Sequence, residues 1–178
     1  MYLNDKEFEL YISTEEIAAM VIRLADAVNQ DFEEKNPFFI IMLNGAFMFA
    51  ADFLRKITVS HEVAFARCTS YEGMQTSEKM EYNFPSPEKV EGRHVVIIED
   101  ILDTGNTMHF FLAEIAKFNP ESVSIACLLA KPEALDHKIH IDYLGKAIEN
   151  RFVVGYGLDY DGFGRNLNAI YLHTSKYL

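Results

Sequence analysis

The stretch Val95-Val-Ile-Ile-Glu-Asp-Ile-Leu-Asp-Thr-Gly-Asn-Thr-Met108 constrains this chain more than any other. Val95 to Ile98 are all β-branched and apolar, as expected of a strand buried on both faces of a sheet. Two acids, Glu99 and Asp100, stand where that strand, predicted over Arg93 to Glu99, should end. Asp103 then opens a polar turn, Asp103-Thr-Gly-Asn-Thr107, leading into a helical pattern from Met108 to Phe118. Carboxylates at the tip of a buried strand can hold sugar hydroxyls or a hydrated metal ion. A Thr/Gly turn at a helix start offers backbone N–H groups and hydroxyls to a phosphate. The same residues also admit a plainer reading, an acidic strand end with a helix cap at Thr104.

The rest of the chain supplies a frame for that loop. Ser13-Thr-Glu-Glu16 is a capping box ahead of an amphipathic stripe, Ile17, Met20, Val21, Leu24, Ala25 and Val28. Phe38 to Leu43 has the length of a buried strand, Asn44-Gly45 breaks it, and Ala46 to Ile57 has helical spacing. His61 to Cys68 and Ser122 to Ala130 read as further strands, and Ile139 to Leu144, Phe152 to Val154 and Ala169 to Leu172 as short ones. Thr69 to Pro87 is polar and reads as a mobile loop with room for a β-piece. Phe110, Leu112 and Ile115 are read as core positions of the helix after the turn. Strands alternating with helices predict an α/β fold, a parallel sheet with helices on both faces. Ligands then bind beyond the carboxyl ends of the strands, where Leu43-Asn-Gly45, Glu99-Asp100, Lys131 and Asp159 all fall.

The totals narrow the classes. With 178 residues, 49% of them hydrophobic, the chain suits one domain with a sizeable core, and no linker or repeat divides it. A formal charge of −11 speaks against nucleic acid or an anionic membrane as partner. No run approaches the ~20 apolar residues of a membrane helix, and no secretory signal is expected. Cys68 and Cys127 are read as buried free thiols, which points to a cytoplasmic protein.

Taken together, Leu43-Asn-Gly45, Ser70-Tyr-Glu-Gly73, Glu99 to Thr107, Lys131, Phe152-Val-Val-Gly-Tyr-Gly-Leu-Asp-Tyr160 and Arg165-Asn-Leu167 resemble, in order, the motifs of the hypoxanthine-guanine phosphoribosyltransferases. The resemblance implies a type I phosphoribosyltransferase fold: a core sheet over about 37–145, with a small hood from about 1–12 and 146–178. It implies purine salvage, with the phosphoribosyl group of 5-phosphoribosyl-1-diphosphate (PRPP) passing to hypoxanthine or guanine with Mg²⁺ as cofactor, in a dimer or tetramer. Asp103 would be the general acid/base at N7 of the purine. Glu99 and Asp100 would face the ribose hydroxyls, directly or through Mg²⁺, and Thr104, Gly105, Asn106 and Thr107 would wrap the 5′-phosphate. Many relatives carry Lys at the position of Asn106, so here binding should lean on N–H groups and hydroxyls. Leu43, Asn44 and Gly45 would bind pyrophosphate in a loop able to hold a non-proline cis peptide, with Arg165 beside it and Asp159 on a second Mg²⁺. Lys131 would donate to O6 of the base, Phe152 would stack on its ring, and backbone groups near Val153 and Asp159 would read its other edge. Ser70 and Tyr71 open a loop that would close over the site. Without the family, Lys131 reads as a solvated strand end and Phe152 as a core aromatic.

Two other readings are carried alongside: a phosphoribosyltransferase for another base, xanthine first, and an RNA-binding regulator on the same fold. The second needs a basic face, which the acidic balance disfavours.

Overall fold

The structure is a computed structural model and describes residues 1–70 and 80–175. The elements follow in the order β1 (Tyr2–Leu3), β2 (Lys6–Ile12), α1 (Thr14–Asp31), β3 (Phe38–Leu43), α2 (Phe47–Leu54), β4 (Glu62–Ser70), β5 (Met80–Asn83) and α3 (Pro87–Val90). They continue with β6 (His94–Leu102), α4 (Asn106–Ala116), β7 (Ser122–Ala130), β8 (Tyr143–Ala147), β9 (Val153–Val154) and β10 (Ile170–His173).

The large sheet has the order β5-β4-β3-β6-β7-β8. Its strands β4, β3, β6, β7 and β8 pair in parallel, and β5 closes one edge antiparallel to β4. Strand alternation sorts the side chains between two cores. Phe39 and Ile41 of β3, Val96 and Ile98 of β6 and Leu128 of β7 face α1 and α2. Phe38, Ile40 and Met42, Val95 and Ile97, and Ile125 and Cys127 face the α4 side. Burying side chains of this size stabilises the fold by about 1.5–3 kcal/mol each. The two chain ends make the hood, a second sheet of order β1-β2-β10-β9, in which β2 and β9 both run antiparallel to β10. Its Ile12, Val153, Ile170 and Leu172 join the core on the α1–α2 side.

The α1 start is as its sequence dictates: Glu16 N–H donates to Ser13 Oγ at 3.3 Å, and Ser13 N–H to Glu16 Oε2 at 3.0 Å. Several predicted element ends shift. The second helix ends at Leu54 because Lys56 and Ile57 N–H bond back three residues, to Phe53 and Leu54, tightening the last turn. The eighth strand starts at Tyr143, not Ile139. Ile139 and Ile141 pack sideways onto the α4-side core, and the Asp142 carboxylate accepts the Ile125 N–H at 2.8 Å before β8 begins. On α4 the buried face is Met108, Phe111 and Ile115; Phe110 and Leu112 flank it, half-buried. Phe111 meets Phe84 in a stacked pair at 4.7 Å. Among the described residues no helix is long and apolar enough to cross a membrane.

Candidate active site

The sequence places the end of the central strand at Glu99, so that both acids leave it together. The structure corrects this. β6 runs on to Leu102, paired with β7 as far as Leu102 opposite Ala130, while its pairing with β3 stops at Ile98. Glu99 and Asp100 therefore still alternate, and each lines a different cleft. Losing β3 as a neighbour leaves open space beside Asp100, and the loop after β3 fills it.

That loop is Leu43-Asn44-Gly45, whose Leu43–Asn44 peptide is cis. Gly45 is required by close approach: a Cβ on it would lie 1.8 Å from Asp100 Oδ2. On its other side the Gly45 carbonyl faces Gly157 of the hood loop, where a Cβ would lie 2.0 Å from that oxygen. Arg165 locks this layer, with Nη1 donating to the Gly157 carbonyl at 2.7 Å and Nη2 paired with Asp159 Oδ1 at 2.7 Å. Asp159 Oδ2 accepts the Gly162 N–H at 2.7 Å, so both its oxygens are engaged and a cation there would compete with Arg165. Asn44 is exposed, and Leu43 is half-buried behind the loop.

Two clefts result. The larger, about 330 Å³, is walled by Gly45, Asp100, Lys131, Phe152, Asp159 and Arg165, with apolar surface from Ile101, Val153 and Leu158. The smaller, about 170 Å³, lies over the turn Thr104–Thr107 and is flanked by Glu99. They adjoin at Ile101 and Asp103, which line both. Asp103 is exposed, and the buried Lys131 reaches it from the end of β7, Nζ to Oδ2 at 2.6 Å. Phe152 is held between Phe8 at 6.2 Å and Tyr160 at 5.9 Å, the latter edge-on. Beneath the smaller cleft α4 is capped by Gly105, not by Thr104. Gly105 takes φ 80°, which favours glycine, while Thr104 Oγ1 accepts the Asn106 N–H at 3.4 Å. Ser70 closes β4 at the sheet's rim, and Tyr71 lies outside the described residues.

Burial dominates the electrostatics of the two strand-tip acids. Burial raises the Glu99 carboxyl well above the usual carboxylate range, and the neighbouring Asp100 charge raises it further. Burial also raises Asp100, against its hydrogen bonds and the Arg165 charge. The cationic side chains at this rim, Lys131 and Arg165, are paired with Asp103 and Asp159 instead. No group of three or more His, Cys, Asp or Glu among the described residues could hold a metal ion by itself. Two buried carboxylates fit a hard cation that keeps several waters and takes further oxygens from its substrate, which is how Mg²⁺ binds.

Sequence reasoning missed several parts. Ile101 sits in strand parity between Glu99 and Asp103, a signal that could have marked it. Gly157 lies within the Phe152–Tyr160 motif, but no neighbouring residue marks it as the one that rests on the Gly45 carbonyl. Asp136 and His137, which bond Asn106, gave no signal in their own neighbourhood.

Comparison with known proteins bears on this arrangement. The phosphoribosyl transferase domain family matches residues 11–161. Over 171 residues the chain is 34% identical to a hypoxanthine-guanine-xanthine phosphoribosyltransferase of Tritrichomonas foetus, covering 94% of this chain and 92% of that protein. It is also 34% identical over 165 residues to the hypoxanthine phosphoribosyltransferase of Escherichia coli, covering 91% and 93%. The crystal structure of a hypoxanthine-guanine phosphoribosyltransferase from Bacillus anthracis superposes with a TM-score of 0.86 at 30% identity, over 96% of this chain and 99% of that one.

Proposed function

The chain belongs to the phosphoribosyl transferase family, and we propose that it transfers the 5-phosphoribosyl group of PRPP to N9 of hypoxanthine or guanine, releasing pyrophosphate, as an enzyme of purine salvage. The observation that carries the reading is the meeting of the two clefts at Asp103, with Lys131 Nζ 2.6 Å away. A base in the larger cleft and a 5′-phosphoribosyl group over the Thr104–Thr107 turn bring N9 and C1′ together beside that carboxylate.

The bond from N9 to C1′ forms as the bond from C1′ to pyrophosphate breaks. Asp103 manages the N7 proton as the ring's electron density shifts. Lys131 turns from Asp103 to O6 of the base. A donor in that place finds no partner on the amino group of adenine, which excludes it. Phe152 stacks on the ring, fixed by Phe8 and Tyr160, and Ile101 and Leu158 supply the apolar wall. Arg165 and the Leu43–Gly45 loop receive pyrophosphate, the guanidinium through its planar fork. Glu99 and Asp100 would hold the ribose hydroxyls and a Mg²⁺, with Asp159 a further oxygen donor if released from Arg165. Bound Mg²⁺ would neutralise charge on the pyrophosphate. The barrier falls mainly because sugar and base are held in line and developing charge meets fixed partners. Assembly as a homo-oligomer and action in the cytoplasm, in keeping with two cysteines that form no disulfide, complete the reading.

The test is a spectrophotometric assay with PRPP and Mg²⁺, offering hypoxanthine, guanine, xanthine and adenine separately. Turnover of hypoxanthine or guanine without adenine is expected, and the response to xanthine ranks it among the oxopurines. No turnover of any 6-oxopurine by folded protein would refute the reading.

A further inference from the structure

The smaller cleft has a charge deficit. It is lined by Glu99 and Asp103 and, among the described residues, by no lysine, arginine or histidine, although a phosphate dianion is assigned to it. The groups that hold its turn stand one layer out. Asn106 is held at both ends of its amide: Nδ2 donates to Asp136 Oδ2 at 3.2 Å, and Oδ1 meets His137 Nε2 at 2.8 Å. An amide oxygen only accepts, so Nε2 carries the hydrogen. The His137 ring lies flat on His109 of α4, with centroids 4.0 Å apart and planes 6° from parallel. The same segment grips the turn at two more residues. Asp136 N–H donates to the Thr104 carbonyl at 2.9 Å, and Leu135 and Ile139 lie over Gly105, 3.1 and 2.7 Å from where its Cβ would be.

We propose that His137 is the positioning residue of the 5′-phosphate subsite, an inference that rests on the reading of Thr104–Thr107 as that subsite. Through Nε2–H, His137 fixes the Asn106 side chain and so the N–H groups at the start of α4, which a phosphate meets in place of a cationic side chain.

The test uses the full chain carrying His137→Ala or His137→Gln. The probe is ribose 5-phosphate, titrated calorimetrically, and the kinetic readouts are kcat and the KM for PRPP and for hypoxanthine. Gln keeps a donor at about the place of Nε2. Loss of one hydrogen bond to the turn predicts that His137→Ala raises the ribose 5-phosphate Kd and the KM for PRPP about fivefold. The KM for hypoxanthine and kcat should stay within about twofold. His137→Gln, which keeps the donor, should bind ribose 5-phosphate within about twofold of wild type. An alanine variant with wild-type affinity for ribose 5-phosphate overturns the proposal. So does a glutamine variant that loses as much affinity as the alanine variant, or a KM for base that rises in step with that for PRPP. If wild-type protein turns over neither base, the transferase reading fails, while ribose 5-phosphate binding still decides for or against His137.

Discussion

The turn Asp103–Thr107 and the hood loop Phe152–Arg165 face one another across the larger cleft and are made in opposite ways. The turn is continuous with a strand before it and a helix after it, and residues next to one another in sequence settle most of its shape. The hood loop takes its shape from far along the chain. Tyr156 Oη donates to Asp52 Oδ2 at 2.7 Å, Tyr160 Oη donates to Asp5 Oδ1 at 2.9 Å, and Gly157 rests on the Gly45 carbonyl. Burial and the Asp52 bond raise the Tyr156 phenol far above its ordinary value, which keeps it a donor at any working pH. The difference teaches that a carboxylate at a strand tip can be specified locally, whereas the cleft wall that faces it has to be assembled.

Breaking the local half should cost most. Asp103→Asn keeps shape and removes the proposed proton carrier, so kcat should fall by about 10²–10⁴ with little change in PRPP affinity. Steady-state kinetics beside calorimetric titration of PRPP would separate the two, and equal losses would argue against proton transfer. Breaking the assembled half should act through stability. Gly157→Ala places a Cβ against the Gly45 carbonyl at φ 103°, for an expected loss of about 2–3 kcal/mol. Urea unfolding would measure it. The affinity for ribose 5-phosphate, which needs only the turn, should survive; if it falls as far as that for pyrophosphate, the two halves are not separable.

The smallest effect sharpens the comparison through pH. The folded Glu99 carboxyl is raised by burial and then by Asp100, so the unfolded chain ionises first as pH rises. Stability from this group is fully present below the unfolded carboxyl value and is lost as pH climbs through the folded one. Glu99→Gln should therefore match wild type at about pH 4 and melt a few degrees higher at about pH 8 in metal-free buffer. A gain of the same size at both ends of the range would mean that packing, not ionisation, is responsible.

Legibility followed the same division. Strands β3 and β7 have the predicted limits, Phe38–Leu43 and Ser122–Ala130, because a run of apolar residues buried on both faces leaves few alternatives. The α1 cap was likewise local and readable. The central strand was cut short at Glu99 because its last residues are held by β7 alone, a pairing that no nearby residue announces. Tyr143 replaced Ile139 as the start of β8 because Ile139 was drawn to Gly105 and the α4-side core instead of the sheet.

By itself the sequence determined which chemistry this protein carries: two acids and a third at a strand tip, a small turn before a helix, a lysine after the next strand, an aromatic near the end. Hydrophobic period and turn residues act within a few positions, so they are written locally. Only the tertiary structure decided that Glu99 and Asp100 serve different clefts, that Lys131 meets Asp103, that Asp159 is already held by Arg165, and that His137 grips the turn. Those are contacts between residues distant in sequence, fixed by sheet order and by the packing of both chain ends, and no local pattern encodes a distance across a fold.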